Sequence, residues 1–139
     1  MSQINPYLTF GGNCSEAMNF YKDVLGGELK LQTIGESPMA EKMPAAMKKY
    51  ILHSQLTHET LTLMGSDMVS EQGLIKGNAV SLMLDCHSEG VIRDCYEKLS
   101  AGGNATHPLE DTFWGTLFGD LTDKFGNNWL LNFDKNQSL

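Results

Sequence analysis

The chain is 139 residues long, enough for one compact unit or two small fused modules whose core needs no disulfides. Hydrophobic residues make up 41% and charged residues 19%, a globular balance, and no apolar run is long enough to span a bilayer. A net charge of −7, with the ten Lys and Arg residues scattered singly or in pairs, repels a phosphate backbone, so neither nucleic acid nor membrane is expected as a partner.

The first strand-like run is Tyr7-Leu8-Thr9-Phe10, followed by Gly11-Gly12. Asn13-Cys14-Ser15-Glu16 then reads as a helix start, with Asn13 as N-cap and Glu16 reaching back in a capping box. Ala17, Phe20, Tyr21 and Val24 follow at i, i+3, i+4 and i+7, the spacing of one helical face. Gly26-Gly27 ends that helix, because glycine accepts the left-handed conformation at C′. Strands are predicted at residues 28–34, 50–57 and 61–64, the last two joined at His58-Glu59. Residues 35–49 between them, with their prolines, methionines and alanines, read as a loop holding one helical turn.

The second half repeats this grammar. Residues 79–85 form a strand-like run, and Ser88-Glu89 opens a helix whose apolar face is Ile92, Cys95, Tyr96 and Leu99. Gly102-Gly103 closes it. Strands are predicted at residues 105–111, 115–122 and 129–133. An Asx-type turn, Asp123 to Asn127, separates the last two, with Gly126 supplying a positive φ.

Each half therefore reads β-α-β-β-β, and the order of strand, cap, stripe and double glycine recurs about half a chain later. The predicted fold class is α+β: two tandem βαβββ modules, at about residues 1–70 and 78–139 of a single domain, forming a curved mixed sheet around a central cleft. A cleft of that kind suits a small-molecule ligand.

Cys14, Cys86 and Cys95 are an odd set without a C-x-x-C pair, which argues against a disulfide framework or a zinc knuckle and for buried, reduced thiols. The opening residues, Met1 to Pro6, show neither a basic stretch nor an apolar run of a secretion signal, so a cytoplasmic protein is expected.

Two stretches carry a resemblance. Pro6 to Ala17, then Phe20-Tyr21 and Leu25-Gly26-Gly27-Glu28-Leu29, resemble the opening of PhnB-like proteins. Glu110-Asp111-Thr112-Phe113-Trp114-Gly115, then Phe118-Gly119 and Thr122 to Trp129, resemble their ending. The resemblance implies the vicinal oxygen chelate fold, otherwise called the glyoxalase/bleomycin resistance/dihydroxybiphenyl dioxygenase fold, and a homodimer. Proteins of this kind are often labelled 3-demethylubiquinone-9 3-methyltransferase domains.

Metal-dependent members of the superfamily place His or Glu on the first and last strands of each module, so that a divalent ion polarises neighbouring substrate oxygens. Carried onto this chain, those positions fall at Pro6 or Tyr7, at Thr62 or Leu63, at Ser81, Leu82 or Met83, and at Leu130. No imidazole or carboxylate stands at any of them, so no metal and no other cofactor is expected. His53, His58, His87 and His107 do not form a ligand motif with one another, and Cys86-His87 point apart on an extended chain. Phe10-Gly11-Gly12-Asn13 lies between a strand and a helix but lacks the G-x-G spacing of a dinucleotide-type loop, and antiparallel-looking strands follow it. The methyltransferase label therefore has little support in the motifs.

Six residues are candidates for lining a ligand pocket. Tyr7 and Thr9 form a polar and aromatic face on the first strand, and His53 and Gln55 alternate together on another. Trp114 and Phe118 share a face with Thr116 and Asp120, which reads equally as a binding wall or as aromatic packing at a cavity or dimer seam. Methionines 39, 43, 47, 64, 68 and 83 offer an adaptable lining, though most read as core or loop filler. The expected function is metal-independent binding of, or an unassigned reaction on, an unknown small molecule. The alternatives are a metal-dependent glyoxalase- or dioxygenase-type enzyme with displaced ligands, and a drug-sequestering protein of the bleomycin-resistance kind whose acidic surface attracts cationic drugs.

Overall fold

The computed structural model describes residues 2–70 and 72–136; residues 1, 71 and 137–139, which include both ends of the predicted domain, lie outside that description. The chain divides into two compact units, Met1–Ile75 and Lys76–Leu139. The first runs β1 (Tyr7–Thr9), α1 (Cys14–Leu25), β2 (Glu28–Thr33), β3 (Ile51–His58) and β4 (Leu61–Ser66). The second runs β5 (Leu82–Cys86), α2 (Glu89–Ser100), β6 (Asn104–Asp111), β7 (Thr116–Thr122) and β8 (Asn128–Asp134). Both have the βαβββ order read from the sequence, and the fold class is α+β.

Topology repeats as well. The first sheet has the order β1-β4-β3-β2 and the second β5-β8-β7-β6. In each, the opening strand lies parallel to the closing one, β1 to β4 and β5 to β8, and every other pairing is antiparallel. The helix is the crossover that a parallel first pairing requires.

One face of each sheet is covered by its helix. In the first unit α1 buries Cys14, Ala17, Met18 and Tyr21 over Ser54, Leu56, Leu63 and Gly65. In the second, α2 buries Ile92, Cys95, Tyr96 and Leu99 over Leu117, Leu121, Trp129, Leu131 and Phe133. Each such aliphatic or aromatic side chain contributes about 1.5–3 kcal/mol of hydrophobic stabilisation. Gly27, at φ 101°, admits no side chain, because a Cβ there would run into the carbonyl oxygen of Thr57 on β3.

Several expectations need correction. The buried stripe of α1 is Cys14, Ala17, Met18 and Tyr21; Phe20 and Val24 lie at its flank, half-buried. Asn13 makes no side-chain cap bond, so the predicted capping box is absent there, and the box that does form joins Thr33 to Glu36. Residues 35–49 hold the tail of a 3₁₀ turn, Ile34–Glu36, and two more, Ala40–Lys42 and Ala45–Met47, where one turn was expected. The strand expected at 79–85 forms only from Leu82. Trp114 lies outside β7, in the turn that precedes it, and so leaves the strand face predicted for it.

Candidate functional site

The helix-free face of the first sheet is where the polar side chains of that unit gather. Strand register fixes which residues share it, because directly paired residues project to the same side. Tyr7 pairs with Met64, Met64 with Gln55, and Gln55 with Lys30, so one row crosses β1, β4, β3 and β2. Gln32 pairs with His53 in the next row. Thr9 follows Tyr7 by two residues and shares its side.

Tyr7 and His53 belong to strands separated by β4, yet their side chains meet above it. Tyr7 Oη lies 3.4 Å from His53 Nδ1, and the ring centroids are 5.9 Å apart at an interplanar angle of 31°. Tyr7 remains 50% exposed, so this is a solvent-facing polar pair rather than a core contact. The structure thus brings four of the six candidates, Tyr7, Thr9, His53 and Gln55, to one face of one sheet. Met64, one of the methionines named from the sequence, lies on the same row; Lys30 there was not singled out, since only the register reveals it.

The corresponding face of the second sheet has a different chemistry. Met83, Leu130, Asp120 and His107 form one row, and Asp85, Asn132, Phe118 and Glu110 the next. His107 Nδ1 sits 3.0 Å from both carboxylate oxygens of Asp120, and Asn132 donates to Asp85 at 3.2 Å. Phe118, half-buried, is the aromatic member of this face. Trp114 packs edge-on to Phe113 at 4.8 Å between centroids, in the turn between β6 and β7, where the two rings are 59% and 97% exposed.

A groove of about 370 Å³ lies elsewhere on the second unit, between α2 and β6, lined by Arg93, Tyr96, Glu97, Pro108 and Leu109. Two of its polar groups are already engaged: Arg93 bonds Glu89 at 3.0 Å, and the Tyr96 hydroxyl donates to the carbonyls of His107 and Asp120. The Asp123 turn is structural, as its sequence suggests. One oxygen of Asp123 accepts from the backbone of Phe125 and Asn127, and the other from Trp129 Nε1 at 2.8 Å.

The three thiols are free and buried. Burial pushes Cys14 up to about 11 against a lowering hydrogen bond with Ser54, and the Asp67 carboxylate adds to the rise. The hydrogen bond between Cys86 and Cys95 raises Cys86 and lowers Cys95, and burial opposes ionisation of both.

The residues at the superfamily's metal positions do not fit a divalent ion. Pro6 or Tyr7, Thr62 or Leu63, Ser81, Leu82 or Met83, and Leu130 offer at most a phenol, hydroxyls and a thioether, whereas a catalytic site needs about three imidazole or carboxylate donors. Among the described residues no three His, Cys, Asp or Glu side chains converge as ligands. S-adenosylmethionine fares no better at the first strand-to-helix turn. The N–H groups of Gly12 and Cys14, which a phosphate or carboxylate ligand would use there, both donate to Asp67 Oδ1, at 2.9 and 3.0 Å. The strands after α1 are antiparallel, not the parallel array of a doubly wound sheet.

Two βαβββ units with mixed sheets define a protein of glyoxalase/bleomycin resistance/dioxygenase fold. A structure from Sphaerobacter thermophilus described as a member of that superfamily superposes with a TM-score of 0.61, at 18% identity, over 96% of this chain and 98% of its own. Within that fold the chain belongs to the PhnB-like family described as 3-demethylubiquinone-9 3-methyltransferase, whose model matches residues 2–132. Protein YjdN of Escherichia coli is 33% identical over 144 residues, covering 96% of this chain and 97% of the relative. The crystal structure of protein PA1353 from Pseudomonas aeruginosa is 36% identical with a TM-score of 0.86, over 96% of this chain and 98% of that one. A PhnB protein from Bacillus cereus is 28% identical with a TM-score of 0.75, over 95% of this chain and 99% of that one. Among the described residues no helix is long and apolar enough to cross a membrane.

Proposed function

We propose that this PhnB-like protein recognises a small molecule on the helix-free face of its first sheet, without a divalent metal. One observation carries the reading: Tyr7, on the first strand, reaches across β4 to His53 at 3.4 Å. A phenol and an imidazole held together make a fixed pair of polar orienters beside apolar area from the Tyr7 ring and Met64, the combination a small-molecule face needs. Thr9 and Gln55 complete its polar contacts. Phe118 is the aromatic side chain on the second sheet's own open face, and Trp114 lies in the turn before β7. The protein is taken to be a cytoplasmic homodimer, a reading supported by its buried free thiols and its family; sedimentation at micromolar concentration tests the dimer.

The main test is amide and imidazole chemical-shift mapping with a fragment library on labelled protein. Hits are expected to perturb residues 7, 9, 53 and 55 together, and Tyr7→Phe with His53→Ala should remove them. Hits that leave all four unperturbed would overturn the reading. Dialysis against a strong chelator should leave fragment affinity unchanged, whereas stoichiometric nickel, zinc, manganese or iron in protein purified without added metal would count against metal independence.

A further inference from the structure

The face that carries Tyr7 and His53 is rich in hydrogen-bond donors that have no partner among the described residues. Lys30 makes no ion pair among the described residues, unlike Lys98 and Lys135, which hold Asp94 and Asp111. The side-chain amides of Gln32 and Gln55 make no hydrogen bond there either. His53 uses Nδ1, and Nε2 has no hydrogen-bond partner among the described residues. These groups are neighbours by register: Lys30 is directly opposite Gln55 and Gln32 opposite His53, so Lys30 and His53 stand on a cross-strand diagonal, within reach of a long side chain. The one carboxylate on this side of β2, Glu28, is two residues before Lys30, in the adjoining row opposite Thr57. The second sheet's open face shows the opposite balance, with Asp85, Glu110 and Asp120 on its rows.

We infer that the first sheet's open face takes a small organic carboxylate, its charge held by Lys30, Gln55 and His53 and its apolar body resting on Met64 and the Tyr7 ring. The inference rests on the reading that this face is the ligand face, and it adds the chemical class. A carboxylate offers two acceptor oxygens and nothing but acceptors, which matches a face that presents mainly donors. Charge-assisted bonds of this kind are about twice as strong as neutral ones. Tyr7 is a positioning residue: when its hydroxyl donates to Nδ1, the imidazole proton resides on Nε2, and that edge becomes a donor toward the ligand. A cationic ligand would meet Lys30 with Glu28 as the one carboxylate on that side of β2 to offset the repulsion.

Three probes with one ring and different charge test this: benzoate, benzyl alcohol and benzylammonium, each titrated into labelled protein at low ionic strength. Benzoate is expected to perturb residues 7, 30, 53 and 55 and to bind about tenfold more tightly than benzyl alcohol. Lys30→Gln should weaken benzoate about fivefold and leave benzyl alcohol unchanged. Lys30 is exposed, so this variant keeps the fold, and its melting temperature checks that. His53→Gln, which keeps a donor, should retain more benzoate affinity than His53→Ala. Equal affinity for benzoate and benzyl alcohol at this face, or preference for benzylammonium, would refute the carboxylate assignment while leaving the face as a binding surface. Absence of any response there from all three would remove both.

Discussion

Cys14 has no solvent exposure, and its thiol bonds the Ser54 hydroxyl at 3.5 Å on the helix-covered side of the first sheet. Because burial and the Asp67 carboxylate outweigh that bond, its thiol is pushed up to about 11, above the usual value of 9.0. The thiolate is the nucleophile, so Cys14 should resist alkylation by iodoacetamide at neutral pH in the folded protein and react only on unfolding. Cys95, lowered by its bond from Cys86, should be the first thiol modified. Mass mapping of labelled peptides before and after urea checks the order, and rapid native labelling of Cys14 would contradict it. The sign for stability follows from the same shift. A thiol raised in the fold stabilises it fully below the ordinary thiol range, and that contribution is lost as pH rises toward about 11. Buried cysteines were legible in the sequence from their odd number and spacing. Which of them ionises more readily was not, because that depends on Ser54, Asp67 and the Cys86–Cys95 contact, all set by tertiary packing.

The two helices begin in physically different ways, and this separates what local sequence encodes from what it does not. On α2 the cap is local: Ser88 Oγ accepts from Val91 N at 3.1 Å, as the Ser-Glu start suggests. On α1 the acceptor comes from 53 residues further along the chain. Asp67, 6% exposed, takes Gly12 N and Cys14 N on one oxygen and Ile51 N on the other, at 2.8 Å, tying the helix start to the entry of β3. Asn13, which reads as a cap, is displaced from that role because the carboxylate already occupies the end of the helix. Three substitutions distinguish these arrangements in urea unfolding followed by circular dichroism. Ser88→Ala should cost about 1 kcal/mol. Asn13→Ala should stay within about 0.5 kcal/mol. Asp67→Ala should cost about 3 kcal/mol or more, since it strands several buried donors at once. A large loss from Asn13→Ala with a small one from Asp67→Ala would reverse this assignment.

For the whole molecule, the duplicated βαβββ order was readable because it rests on periodicity and glycine placement, which are local. Cross-strand partners were not readable, because register depends on where the chain bulges. The second sheet shifts register twice along β6, between Asn104 and His107 and again before Glu110, and His107 meets Asp120 between the two shifts. The Tyr7–His53 pair has the same origin: each residue was legible as a candidate, but not their meeting over β4. Trp114 shows the converse, a strand alternation extended two residues too far, past Gly115 at φ 94°.

Two cores built alike predict like responses to truncation. Leu56 on β3 and Ile92 on α2 are both fully buried between helix and sheet, one in each unit. Replacing either by alanine removes apolar burial and leaves a cavity, at an expected cost of about 2–4 kcal/mol in each case. The probe has to be chosen with the units in mind, since Trp114 and Trp129 both belong to the second and fluorescence reports only that unit directly. Circular dichroism, which sees both sheets, should show comparable losses for Leu56→Ala and Ile92→Ala. A loss below about 1 kcal/mol for either would mean that its helix is not packed on its sheet as described, because a dry core position cannot lose three carbons that cheaply.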